Sequence, residues 1–224
     1  MNIGHVFVEI WMARWPLLDG LGLTAVISLF SITLGSVLGI LIGIVLTYGV
    51  LPLKYMARFY VDVLRGTPVL VLILAAFYVP SVINVDLNAV EAGVFALTLF
   101  CGAHVGEVVR GSLQAIPKGQ NEAAKAIGLT FWKMFIYVLM PQALRQSIPT
   151  WTNASVEIVK ATTLLSVIGV PELILSTQQI IGRTFMSLPF YLLVGVLYFL
   201  VDYSIERLGR YLDARISTAQ GISQ

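Results

Sequence analysis

Residues 117–145, PKGQNEAAKAIGLTFWKMFIYVLMPQALR, lie between two apolar blocks long enough to cross a membrane, and their reading decides the fold. Polar residues crowd the first half of this stretch, in a chain that is otherwise mostly hydrocarbon. Asn121 is expected to cap a short helix through Glu122, Ala123, Ala124, Lys125, Ala126 and Ile127, and Gly128 to take the left-handed conformation that ends it. Glu122 then stands near the positive end of the helix dipole, with Lys125 three residues on. Ala123 and Ile127 share one face, and Ala124 and Gly128 the next, so another backbone can approach closely. Two readings are open from these residues alone: a tight helix-packing face, the common use of small residues four apart in membrane proteins, or a plug for a socket on a partner. Further on, Pro141 predicts a break or kink at the membrane boundary.

The composition around this loop is that of an integral membrane protein with one domain. Of 224 residues, 58% are hydrophobic and 12% charged, against roughly 25% charged in soluble domains; mean hydropathy is +0.87. A net charge of +2, carried by scattered basic residues, argues against nucleic-acid binding. His5 and His104 have no Cys or carboxylate cluster at ligand spacing, so no metal site is expected, and the single Cys101 allows no intrachain disulfide. The chain has no Gly-x-Ser-x-Gly elbow, no His-Glu-x-x-His pair and no paired intramembrane aspartates, so no catalytic residue is assigned. It also has no phosphate-binding Gly-x-x-x-x-Gly-Lys-Ser/Thr loop. If ATP drives this protein, another subunit binds it.

Read in order, residues 1–20 with Trp11 and Trp15 form an interfacial segment, and residues 21–48 run without a charge. At about 1.5 Å per residue that run exceeds the ~30 Å hydrocarbon core, so it spans and is expected to serve as the insertion signal. Gly35, Gly39 and Gly43 mark one face for close helix packing. Pro52, Lys54 and Arg58 read as a short basic turn, and Arg65-Gly66-Thr67-Pro68 opens a second block to about Val85. An acidic connection, 86–91, leads to a third block at about 92–113. A fourth is interrupted by Pro149, Asn153, Glu157 and Lys160; Pro171 and Glu172 then start a polar-spotted connection to about Pro189, before a fifth block at 190–201. The expected architecture is all-α, with about five transmembrane helices and a cytoplasmic helix between the third and fourth. Residues 21–204 make the membrane domain, with its loop at about 115–134, and residues 205–224 a cytoplasmic tail. Under the positive-inside rule the Lys54 turn, the 115–134 loop and the carboxyl terminus are cytoplasmic, and the amino terminus is outside.

A charge inside a span costs at least ~2.5 kcal/mol on insertion scales and faces a cavity or a partner. Glu157 and Lys160, three apart on one face, are expected to pair, either as a structural ion pair or as part of a polar path. Asn153, one turn earlier, and Thr162 and Thr163, just after, extend the polar stretch into a candidate translocation route. His104 stands three residues before Glu107, with Arg110 three further on; it reads as a packed, hydrogen-bonded histidine or as a cavity residue.

Taken together these pieces resemble the permease subunits of bacterial ATP-binding cassette importers, and among them the polar amino acid permeases. The resemblance rests on Glu122-Ala123-Ala124 with Gly128, Lys118-Gly119-Gln120, Arg65-Gly66-Thr67-Pro68, Glu107-Val108-Val109-Arg110-Gly111, Pro141-Gln142-Ala143-Leu144-Arg145, and Ser166-Val167-Ile168-Gly169-Val170 with Glu172-Leu173. It covers nearly all of residues 20–210. It implies an inner-membrane core paired with a second permease subunit, two cytoplasmic subunits that bind ATP and Mg, and an extracytoplasmic solute-binding protein. This chain itself would bind no cofactor. Gly119, Glu122, Ala123, Ala124 and Gly128 would form the contact with the ATPase. Where relatives commonly read Asn-Glu and then Lys-Asp-Thr-Ser, this chain reads Asn153-Ala154 and Lys160-Ala161-Thr162-Thr163. A cavity short of two carboxylates suits a neutral or acidic amino acid better than arginine or lysine. His104, Phe100 and Leu72, where tyrosine, asparagine and glutamine are common, keep an opine-like or other small solute open. A helical scaffold without transport is the alternative from another class, and ATPase binding separates the two.

Overall fold

In a bilayer the backbone N–H and C=O groups of an apolar chain have no partner but one another, so such a chain folds as helix. The computed structural model describes residues 3–219, and among these helix dominates throughout. The first two residues of the expected interfacial segment and the last five of the expected tail lie outside the described residues. Helices α1 (Ile3–Met12) and α2 (Arg14–Tyr48) are followed by α3 (Leu51–Gly66) and α4 (Val69–Val82). Next come α5 (Ala89–Ala115), α6 (Lys118–Ala126) and α7 (Phe131–Met134). A π-helical turn (Phe135–Leu139) leads into α8 (Met140–Ala161) and a 3₁₀ segment (Thr162–Ile168). The described chain closes with α9 (Leu173–Thr184) and α10 (Ser187–Ala219). Among the described residues, three helices are long and apolar enough to cross a membrane, and up to five spans result if each bent pair counts as one. That agrees with the expected number.

α2 begins at Arg14, so Trp15 stands in the same helix as the first apolar run. Three local expectations are corrected. The basic turn at Pro52, Lys54 and Arg58 is part of the 16-residue α3, whose apolar side packs: Val61 is fully buried with Leu46 and Ala103. Pro141 does not break the chain's path. The π turn lies immediately before it, and a widened ladder accommodates a residue that cannot donate a hydrogen bond. The connection expected from Pro171 to Pro189 contains α9, because Glu172 caps that helix and Leu173 and Ile180 are buried.

The chain divides into two compact units. The first comprises the chain up to Thr33, Thr67–Thr98 and Val156–Ser204. Its core joins Ala13 and Leu17 to Leu173 and Ile180 of α9 and to Phe190 and Val194 of α10. Glu172, wholly buried, accepts hydrogen bonds from the N–H groups of Ile174 (2.9 Å) and Leu175 (3.0 Å) and from Tyr198 Oη (2.9 Å). The Leu173 N–H donates to Thr24 Oγ1 at 3.2 Å, tying α9 to α2.

The second unit comprises Leu34–Gly66, Leu99–Ser155 and the chain from Ile205. Here the expected glycine face of α2 meets α5. A Cβ on Gly39 would stand 2.5 Å from Val105 Cβ and 2.9 Å from the Gly102 carbonyl oxygen, and Gly43 repeats the arrangement one turn on against Val109 and Gly106. Gly39→Leu is therefore expected to drive the two helices apart, at a cost of about 1–3 kcal/mol from overpacking alone. Thermal melting of the detergent-solubilised chain checks this; an unchanged midpoint would refute the close approach.

Candidate functional site

The 115–134 loop is built around α6, in the second unit. Pro117, not Asn121, occupies the N-cap: proline at the start of a helix forfeits no internal hydrogen bond, so the helix begins earlier than the Asn121 cap predicts. Glu122 accordingly sits in the second turn, away from the positive end of the dipole. At the other end Gly128 is left-handed, with φ +77°. The Gly128 N–H bonds Lys125 O (2.9 Å) and the Leu129 N–H bonds Ala124 O (3.1 Å), the paired closure of a glycine-ended helix.

The two readings of its small residues divide between neighbours. Ala124 is buried in a cluster with Leu113, Ile116, Met134, Phe135 and Leu139, so it is the packing residue. Gly119, Glu122, Ala123 and Gly128 are exposed, and Ile127 projects with 77% of its surface free. Sequence reasoning missed what lies under this loop: Tyr48, at the end of α2, meets Phe131 and Phe135 edge-on at 5.3 and 5.8 Å. Spacing points to Phe131 and Phe135 together, since both fall in one short helix turn. Tyr48 is too distant along the chain for any local pattern to find.

Other candidates in the second unit are distributed. His104 is half-buried, with Nδ1 3.0 Å from Phe100 O and its ring 4.3 Å from the Phe100 ring, which matches the packed reading. Glu107 is held by Arg110 of its own helix and by Arg58 of α3 at 3.3 Å; Arg58 also reaches Asp62 at 3.7 Å. The sequence reading had Arg110 beside Glu107 but not Arg58, which comes from another helix. Asn153 is exposed and lines a cavity of about 380 Å³ with Thr152, Glu206, Arg210 and Asp213.

In the first unit Glu157 and Lys160 do not form the expected pair. Lys160 Nζ lies 3.7 Å from Asp202 Oδ2 of α10, because the nearest carboxylate comes from a facing helix rather than from the same face of its own. Glu157 is exposed. Thr162 is wholly buried and donates to Val159 O (2.7 Å), while Thr163 donates to Lys160 O (2.7 Å). Both hydroxyls thus bond backbone at the passage from α8 into the 3₁₀ segment.

The family model of the inner membrane component of binding-protein-dependent transport systems matches residues 16–218. The chain belongs to this family. This permease is similar to the glutamine transport system permease protein GlnP of Escherichia coli (strain K12), with 32% identity over 212 residues, covering 92% of this chain and 97% of GlnP. It is also similar to the arginine transport system permease protein ArtQ of Bacillus subtilis (strain 168), with 30% identity over 203 residues, covering 90% and 93%. A solved amino acid ABC transporter, crystallised with histidines, matches with a TM-score of 0.86 at 29% identity over 93% of this chain and 98% of its own. The permease is thus the multi-pass inner-membrane subunit of an amino acid ABC importer, and a separate subunit hydrolyses ATP. Relatives named for glutamine and for arginine are almost equally similar, so likeness alone does not choose the solute.

Proposed function

We propose that this permease moves an amino acid with a neutral side chain into the cytoplasm and disfavours arginine and lysine. Two ATP- and Mg-binding subunits drive it through α6, a second permease subunit completes the pathway, and an extracytoplasmic binding protein delivers the solute. The amino terminus is then outside and the carboxyl terminus cytoplasmic. The observation that carries the solute class is that Ala154 and Ala161 stand where the resemblance to the polar amino acid permeases implies carboxylates. Ala154 and Ala161 are both buried, so neither position offers a charge to a cationic side chain. Lys160 is neutralised by Asp202 rather than by Glu157, which leaves Glu157 as an exposed carboxylate. That one negative charge counts against an acidic solute and narrows the neutral-or-acidic class to its neutral members.

The test is ATP-dependent uptake into proteoliposomes holding the permease with its co-purified ATPase and binding protein, using labelled glutamine, glutamate, arginine and histidine. Glutamine is expected to enter at least about tenfold faster than arginine, equivalent to ~1.4 kcal/mol of discrimination. Arginine uptake at a comparable rate would show the missing carboxylates to be irrelevant to selection.

A further inference from the structure

Within the first unit, α1 and the last turn of α9 border a cavity of about 400 Å³ that shares no residue with the polar cavity beside Asn153. Ala13 and Ile180, both buried in the core of that unit, form its floor. Glu9 stands on the α1 side and Arg183 on the α9 side. The nearest charged neighbour of Glu9 is His5, whose Nε2 lies 4.0 Å from Glu9 Oε1, beyond hydrogen-bond reach. Among the described residues neither Glu9 nor Arg183 makes a side-chain hydrogen bond, and the two do not pair with each other. Arg183 is placed by the way its helix ends. Thr184 Oγ1 donates to Ile180 O (3.0 Å) and accepts from the Met186 N–H (3.4 Å), and Phe185 turns left-handed at φ +56°. With the Thr184 hydroxyl committed to backbone, the donors on this side come from Arg183.

Unpaired charges are costly in hydrocarbon, so a cavity bordered by them opens to water. The Glu9 side chain is only 26% exposed, so its carboxylate has given up hydration without gaining a hydrogen bond, and a ligand ammonium would supply one. Across the cavity a guanidinium offers a planar fork of donors that fits both oxygens of a carboxylate. A simple anion is repelled by Glu9 and a simple cation by Arg183. A ligand that satisfies both walls carries an ammonium and a carboxylate together, as a free α-amino acid does. The volume falls at the lower end of small-molecule sites, roughly 300–1,000 Å³. Met12 and Ile180 give the ligand's side chain an apolar wall, so the two charged groups are read and the side chain is not.

We propose that Glu9 and Arg183 bind a free α-amino acid, Glu9 holding the ammonium and Arg183 the carboxylate, at a site that uses none of the residues of the candidate solute path. The probe is labelled glutamine in equilibrium dialysis against the purified permease–ATPase complex, without nucleotide and freed of binding protein. Glu9→Gln and Arg183→Gln are each expected to weaken binding roughly tenfold, the loss of one charge-assisted hydrogen bond. Arg183→Lys keeps the charge and should lose less, and Glu157→Gln should leave this binding as it is. Norvaline, a zwitterion with an apolar side chain, should compete with the label. N-acetylglutamine, without the ammonium, and glutamine α-amide, without the carboxylate, should not. Unchanged binding in both Glu9→Gln and Arg183→Gln would overturn the site, whatever Glu157→Gln does. So would equal competition by N-acetylglutamine, or no binding to the unaltered complex at millimolar glutamine. The outcome does not depend on which solute is transported: uptake of arginine would refute the solute class and leave this site standing.

Discussion

Glu172→Ala is expected to cost about 3–5 kcal/mol of stability, the largest loss from any exchange considered for this chain. The change strands three donors at once around a carboxylate that is itself wholly buried: the N–H groups of Ile174 and Leu175 and the hydroxyl of Tyr198. Each unmet donor costs roughly 1–3 kcal/mol, and the start of α9 loses its cap as well. For a chain of this size that corresponds to a fall of roughly 10 °C in the melting midpoint. Glu172→Gln keeps one carbonyl acceptor and should fall about half as far. Melting of the solubilised permease reads both, and an alanine variant that melts with the wild type would show the cap to be dispensable.

The second large effect falls on transport rather than folding. Glu122→Ala and Gly128→Trp are each expected to cut ATP-driven uptake by roughly 5–150-fold, the range of a coupling free energy between two sites, while Glu122→Ala melts normally and Gly128→Trp loses only the roughly 1–2 kcal/mol of a left-handed non-glycine residue. Glu122 is exposed on α6, so its loss disturbs no packing. Gly128 holds φ +77° with open space around it, so tryptophan meets backbone strain and bulk on the presented surface rather than a clash in the core. Uptake and ATPase rate measured side by side in proteoliposomes decide it: hydrolysis without uptake supports a transmitting role, and normal uptake in both variants removes α6 from the coupling path.

How much the sequence disclosed depended on whether a partner was near along the chain. The uncharged run through α2 and the glycines facing α5 were legible, because lipid leaves an apolar segment no alternative to helix and small residues four apart within such a run let a second helix approach closely. The left-handed Gly128 was legible for the same local reason. α3 and α9 were not, since both carry polar residues and are stabilised by contacts from far away: Val61 against Ala103, and Glu172 beneath Tyr198. The partner of Lys160 failed likewise. Spacing shows Glu157 on the same face, but whether the ammonium turns to it or to Asp202 is decided by α10. Ala123 and Ala124 are alike in type, and only the fold separates the exposed one from the buried one.

The π turn at Phe135–Leu139 closes i→i+5 rather than i→i+4, so it holds one residue more than an α-helical turn. At 3.6 residues per turn, one surplus residue rotates everything after it by about 100° relative to an uninterrupted helix. Trp151 donates to Ser36 Oγ at 2.8 Å in the register so obtained. The turn acts as a phase setting: it fixes which way Trp151 and Asn153 face within the second unit, although neither belongs to it. The direction in which this part of α8 presents its side chains is written in the five residues that precede it.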